Sequence, residues 1–107
     1  MNIGRLKEPI AIGKSAKMKN ELGELETVQE IRIRTRAEVR HDAGKRIEEN
    51  GEIIHAYDIT FIVWDYIGYL IEDRDEVIYK GRRYHIEYPQ PVKEAKALYL
   101  KCSIINE

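Results

Sequence analysis

Between residues 31 and 40 the chain alternates without a break: Ile31, Ile33, Thr35, Ala37 and Val39 fall on one parity, Arg32, Arg34, Arg36, Glu38 and Arg40 on the other. Successive side chains leave opposite faces of a strand, so this period of two predicts a β-strand over about 28–39 with one apolar and one arginine-bearing face. Upstream, "IAI" at residues 10–12 predicts a short strand, and "GKSAKMKNELGELE" after it, with its glycines and lysines, predicts an exposed loop. Downstream, "HDAGKRIEENG" has one large apolar residue, Ile47, too narrow a stripe to hold a helix on a core. It predicts a long mobile loop with at most a short helix ending near Asn50 and Gly51.

From Ile53 the strand pattern returns, with Tyr57, Ile59, Phe61 and Val63 on one parity, while Ile62 and Trp64 on the other predict a far end covered on both faces. "VIYKGRRYHIEY" predicts a hairpin: Val77 and Tyr79 lead in, Lys80 and Gly81 turn, and Tyr84, Ile86 and Tyr88 lead back. "PQP" predicts its end, because proline donates nothing to a ladder. The last strand, "ALYLKCSII", places Leu98, Leu100, Cys102 and Ile104 on one face. All nine aromatic residues lie between Tyr57 and Tyr99, which predicts a core built mainly by the second half of the chain. Five to six short strands with turn punctuation predict a mainly all-β fold, a small antiparallel barrel or sandwich, and 107 residues predict a single domain.

Charge changes this picture. The formal net charge is -1, yet residues 32–47 hold six basic groups against two acidic ones, and residues 48–76 hold nine carboxylates against Arg74. A basic stretch followed by an acidic one suits docking against copies of the same chain better than coating a polyanion. The lone cysteine permits no intrachain disulfide, which fits a reducing compartment. No apolar run reaches the roughly 20 residues of a membrane helix, and the first residues lack the apolar run of a signal peptide, so a soluble, unexported chain with no membrane partner is expected.

Candidate chemistry is sparse. His41, His55 and His85 sit on three segments with no metal-ligand spacing between them, and Cys102 alternates with apolar residues and should point inward. "EDRDE" has the look of a solvated turn, and there is no phosphate cradle, nucleophile elbow or P-loop. No enzyme, cofactor or small-molecule substrate is predicted. One binding alternative stays open: Arg82 and Arg83 beside tyrosines in "YKGRRYHIEY" suit a small nucleic-acid-binding barrel, unless Tyr79 and Tyr84 pack inward and the arginines only keep the hairpin soluble.

Four stretches, "NIGRLKEPIAI", "AEVRHDAGK", "ITFIVWDYIG" and "DEVIYKGRRYHIEYPQPVKEAKALYLKC", together resemble the head-tail joining proteins, also called head-closure or head-tail adaptor proteins, of long-tailed phages and prophages. The most specific piece is the hairpin pattern of Val77, Tyr79, Gly81, Arg82, Tyr84 and Ile86, followed by Leu98, Leu100 and Cys102. The resemblance implies a non-enzymatic connector subunit, made in the bacterial host cytoplasm and working at the virion neck. There it would form a twelve-subunit ring under the portal, extend and close the DNA channel, and meet the portal or adaptor protein, the tail or next connector, and DNA in the channel. It also implies subunits that stay monomeric until they dock, and a loop, here residues 40–53, at the subunit interface or channel. Arg32, Arg34, Arg36, Arg40, Lys45, Arg46, Glu48 and Glu49 are then the candidate interface or channel residues, the arginine row meeting the acidic stretch, residues 48–76, of a neighbour. A tail-completion or terminator ring protein is the alternative within the same machine.

Overall fold

In the computed structural model of the chain, residues 3–41, 46–49, 52–55 and 59–105 are described, with side chains for 4–41 and 59–105. Eight strands follow in order: β1 (Glu8–Lys19), β2 (Leu25–His41), β3 (Arg46–Glu49), β4 (Glu52–His55), β5 (Ile59–Trp64), β6 (Glu76–Tyr79), β7 (Arg82–Val92) and β8 (Ala97–Ile104). Six of them close a barrel in the order β1-β2-β5-β8-β7-β6, with β6 paired back onto β1 and every neighbour antiparallel. Closure removes open edges wherever neighbouring strands overlap, and leaves them only where one strand outruns its partner. β3 and β4 form a separate two-stranded sheet between β2 and β5 in the sequence.

The predicted parities build the interior. Ile10 and Ile12 of β1, Ile33 and Ala37 of β2, Ile59, Phe61 and Val63 of β5, and Leu98, Leu100 and Cys102 of β8 all join one buried cluster. Phe61 lies at its centre, fully buried, with the rings of Tyr79 and Tyr84 edge-on at 5.5 Å each. Edge-to-face packing sets the positive rim of one ring against the negative face of another. After β5 a 3-10 turn, Asp65–Tyr69, folds Ile67 into the same cluster and caps one end of the barrel. Ile62, on the outward parity of β5, is also buried, as its sequence position predicts; its cross-strand neighbours are Glu38 and Tyr99.

The hairpin prediction holds: β6 and β7 pair from Tyr79↔Arg82 outward, across Lys80 (φ 49) and Gly81 (φ 76). Two positive φ values in succession match the right-handed twist of the flanking strands.

Four expectations need correction. The stretch read as an exposed loop is largely strand: Lys14–Lys19 pair in unbroken register with Glu30–Leu25 as a two-stranded arm beyond the barrel. Its turn is fixed by Asn20, whose Oδ1 accepts from the amides of Leu22 (2.9 Å) and Glu24 (3.0 Å), with Gly23 at φ 80. Where the sequence predicts a loop with at most a short helix after the first long strand, β3 pairs with β4, Ile47 opposite Ile54; β-branched isoleucines favour the extended backbone. Residues 42–45, 50–51 and 56–58, with Tyr57, lie outside the described residues, as does the mobility expected there. The strand expected from Ile53 begins at Ile59, and Ile53 belongs to β4.

The fourth correction concerns "PQP", which ends nothing: β7 runs through it, with Pro89↔Leu100 and Pro91↔Leu98 in the ladder. β6 covers only Arg82–His85 of β7, so among the described strands none pairs with the far side of β7 beyond His85. Pro89 and Pro91 share a parity and can turn their nitrogens to that open side without breaking a bond to β8.

Candidate functional site

The arginine strand is where the candidate residues concentrate, and the structure divides them. Between Ile12↔Ile33 and Gly13↔Ile31 the register of β1 and β2 slips, leaving Arg32 as the extra residue of a β-bulge. Bulges re-aim a side chain, and here Gly13 permits it: a Cβ on residue 13 would stand 2.0 Å from the carbonyl oxygen of Glu30. Arg32 turns to its own chain. Its Nη1 and Nη2 donate to Asp75 at 2.7 and 2.6 Å, and Nη2 also donates to the carbonyl of Leu70 at 2.9 Å.

The same loop is held at two further points. Glu72 takes the Lys14 ammonium at 2.8 Å and lies 3.4 Å from Arg32 Nε. Glu76 accepts from Ser15 Oγ at 2.7 Å and, in a fork, from Arg83 Nε and Nη2 at 2.8 Å each. Burial pushes the Asp75 carboxyl up, but the Arg32 hydrogen bonds, the Glu72 amide and the Arg32 charge outweigh it and hold Asp75 below its ordinary range. Glu76 follows the same logic, with Arg83 and Ser15 overcoming burial. Glu72 is lowered by the Lys14 hydrogen bond and then by the charge of Arg32. The hydrogen bond to Asp75 holds the Arg32 guanidinium above its ordinary range. Part of the acidic stretch that the sequence offers to a neighbour is therefore neutralised within the chain, at the base of the arm.

Arg34 and Arg36 differ. They lie exposed on the barrel wall, Arg34 opposite Ala11 and Arg36 opposite Pro9, with Ile78 of β6 beyond Ala11. Among the described residues neither forms an ion pair. Arg40 meets Glu38 at 3.3 Å and stands 5.6 Å from the ring centre of Tyr99, which Lys101 approaches from 5.5 Å. Glu38 also lies 3.8 Å from Arg5. Of the remaining candidates, Lys45 lies outside the described residues, and Arg46, Glu48 and Glu49 are placed by backbone on β3.

The hairpin motif is structural. Val77, Tyr79 and Tyr84 are buried, Ile86 packs against the core, Gly81 supplies the turn and Arg82 is exposed. With Tyr79 and Tyr84 inside and Arg83 on Glu76, two of the hairpin's three tyrosines are withdrawn from stacking bases, while Tyr88 is 47% exposed. Cys102 is fully buried, and burial raises its thiol above the ordinary range. Among the described residues no cluster of three or more His, Cys, Asp or Glu side chains could hold a metal ion, and no helix is long and apolar enough to cross a membrane. A groove of about 790 Å³ runs between the 3-10 turn, the 70–75 loop and the open side of β7, with Ile71, Ile86, Pro89, Pro91 and Leu98 among its walls.

Two features escaped the sequence reading. The Arg32–Asp75 pair joins residues 43 apart and follows no periodicity. The arm leaves a weak trace only: Asn20 and Gly23 at turn spacing between Met18 and Leu25.

A filled β-barrel with an exposed arm and an exposed arginine-bearing wall has the form of a structural interaction protein. The phage head completion protein family matches residues 1–105. In fold, the chain is similar to the solution structure of protein SF1141 from Shigella flexneri 2a, at a TM-score of 0.61 and 21% identity, covering 100% of this chain and 99% of that one. No curated protein sequence matches significantly. The chain belongs to the phage head completion protein family, and its role is a structural one in phage head assembly.

Proposed function

We propose that the chain is the subunit of a ring between the head's portal and the tail, at the neck of the virion, where it extends and closes the DNA channel and gives the tail or the next connector its platform. The reading is carried by the family match over residues 1–105. Arg34 and Arg36 support it: two exposed cations without a described ion-pair partner stand on a wall whose other charges are largely neutralised within the chain. Charge on one flank of a subunit is how heterologous neighbours find register around a ring. The inserted sheet, with Arg46, Glu48 and Glu49 on β3, leaves the barrel at the end opposite the arm, and in this reading it meets the neighbouring subunit or the channel.

The test is co-sedimentation of the purified protein with tailless, DNA-filled heads, beside free tails and naked DNA. Binding to heads and not to tails is expected. Binding to tails alone would replace the reading with a tail-completion protein, and retention on DNA that weakens steeply with salt would replace it with a nucleic-acid binder.

A further inference from the structure

The arm has two unlike faces. Opposed residues of an antiparallel pair share a face, so the register Lys14↔Glu30, Ala16↔Val28 and Met18↔Glu26 puts Ala16, Met18, Val28, Glu26 and Glu30 together with Lys14 on one side. Lys14 is taken up by Glu72, which leaves that side apolar and acidic. The other side carries Lys17 and Lys19 among Ser15, Thr27 and Gln29, with Leu25. Met18 is 57% and Val28 42% exposed, and no arm residue belongs to the barrel's buried cluster. Leu25 on the other side and Leu22 at the tip are exposed as well; a lone two-stranded ribbon in water is marginal, and exposed apolar side chains along it mark a contact surface.

Along the turn that follows β1 and the β2 strand the charges are also sorted by position. Residues 20–31 hold four glutamates and no lysine or arginine, while residues 32–40 hold four arginines and one glutamate. The arm face that carries Glu26 and Glu30, with Lys17 and Lys19 on the opposite face, is therefore complementary in charge to the Arg34–Arg36 wall of a shifted copy. The centre of the acidic face lies about seven residues from the Arg34–Arg36 wall, roughly 23 Å at ~3.3 Å per residue. A neighbour displaced by that distance along the ribbon brings its wall level with the acidic face of the arm.

We infer that the arm's apolar and acidic face, Met18, Val28, Glu26 and Glu30, docks on the wall of a second copy of this chain, where Arg34 and Arg36 flank Ala11 and Pro9. The contact is heterologous, because arm and wall are different surfaces, so it repeats from copy to copy and closes when the rotation between copies allows. This rests on the ring reading above and names the surfaces that make the ring.

The experiment measures occupancy of tailless, filled heads by co-sedimentation and ring formation on them by electron microscopy. Four variants are compared with the parent chain: Glu26→Arg/Glu30→Arg, Arg34→Glu/Arg36→Glu, the combination of all four changes, and Met18→Ser/Val28→Ser. The last alters no charge beside Arg32 and keeps the test decisive if the Glu30 change disturbs the base of the arm; thermal melts check that each monomer is folded. Each double variant is expected to lose occupancy by about tenfold or more, the factor that 1.4 kcal/mol of contact energy represents, and the fourfold variant to regain it. Loss in the doubles without recovery in the fourfold variant would mean that the arm meets a different protein, and would overturn the inference. Double variants that form rings like the parent would overturn it too, while leaving the ring reading intact. A parent chain that binds heads without forming a ring would remove both.

Discussion

Asp75 sets the acid response of the molecule. Its carboxylate is fully buried and holds both Arg32 and the amide of Glu72, so removing its charge leaves a guanidinium and an amide short of their acceptor. Asp75→Asn should cost about 2 kcal/mol at neutral pH, in line with a lost hydrogen bond to a charged group. The pH dependence follows from direction: Asp75, Glu76 and Glu72 are all held below their ordinary pKa range. The unfolded chain then binds more protons than the folded one in acid. The stability these groups contribute is complete above the unfolded carboxylate range of about 4 and drains away as pH falls through the lower folded values. Urea melts at pH 7 and pH 3 should show the gap between parent and Asp75→Asn shrinking in acid; a gap that stays constant would show that the charge of Asp75 is not what stabilises.

Two glycines separate space from strain at the same scale. An added Cβ on Gly13 meets backbone, the Glu30 carbonyl at 2.0 Å and Ile31 Cα at 2.8 Å, so Gly13→Ala must open the bulge and should cost about 1–3 kcal/mol. Gly81 has open space around it but φ 76, so Gly81→Ala carries only the left-handed strain of about 1 kcal/mol. Denaturant unfolding that ranks Gly81→Ala as the costlier change would contradict the close approach at the bulge.

At the scale of the element, what the sequence discloses depends on whether an element meets the core. The β6–β7 hairpin and β8 were legible because their apolar parity is also their buried parity and because Lys80–Gly81 is a turn that few other conformations accept. The arm was not, since its ladder satisfies backbone groups without burying side chains and so writes no period into the pattern. β3 was not legible because its one isoleucine, Ile47, supports a short strand as readily as a turn of helix, and β4 was legible as strand from Ile53 but not as separate from β5. The proline rule failed at Pro89 and Pro91 for a topological reason: whether a strand has an open side is decided by the length of β6, not by β7 itself. At the site, the row of arginines was visible but its division was not, since Arg32 finds Asp75 through a bulge that only the paired strand reveals. The open side of β7 carries its own prediction. Pro89→Thr/Pro91→Thr supplies two amide donors beside a groove already lined with apolar side chains, and exposed edges with free donors recruit other strands. The double variant should sediment with a larger average mass than the parent at equal concentration while melting at nearly the same temperature. Equal sedimentation would mean that the prolines guard nothing.

The whole molecule separates a part that folds from a part that reaches. Every residue of the buried cluster belongs to the barrel or to the 3-10 turn that closes it, and the arm beyond Ser15 contributes none. The polar groups at its base, Lys14, Arg32, Asp75, Glu72, Ser15 and Glu76, tie the root of the arm to the 70–75 loop and β6 and leave its outer half to stand on its ladder and the Asn20 turn. Ordering those outer residues costs conformational entropy that a ribbon without a core does little more than match. Shortening the arm, by joining Ala16 to Val28 through Asn-Gly in place of residues 17–27, keeps the opposed pair Ala16↔Val28 and the bulge below it and closes them with a turn suited to two-residue hairpins. The shortened chain should melt within about 5 °C of the parent, the shift expected for roughly 1 kcal/mol in a domain of this size, and should still give a cooperative transition. It should nevertheless fail to load onto filled heads, since the deletion removes Met18 and Glu26 and nothing from the core. A large fall in melting temperature would make the arm part of the folding unit and return its apolar residues to the problem of stability. A shortened chain that is stable and loads normally would make the arm dispensable to both, and the division of labour between barrel and arm would have to be abandoned.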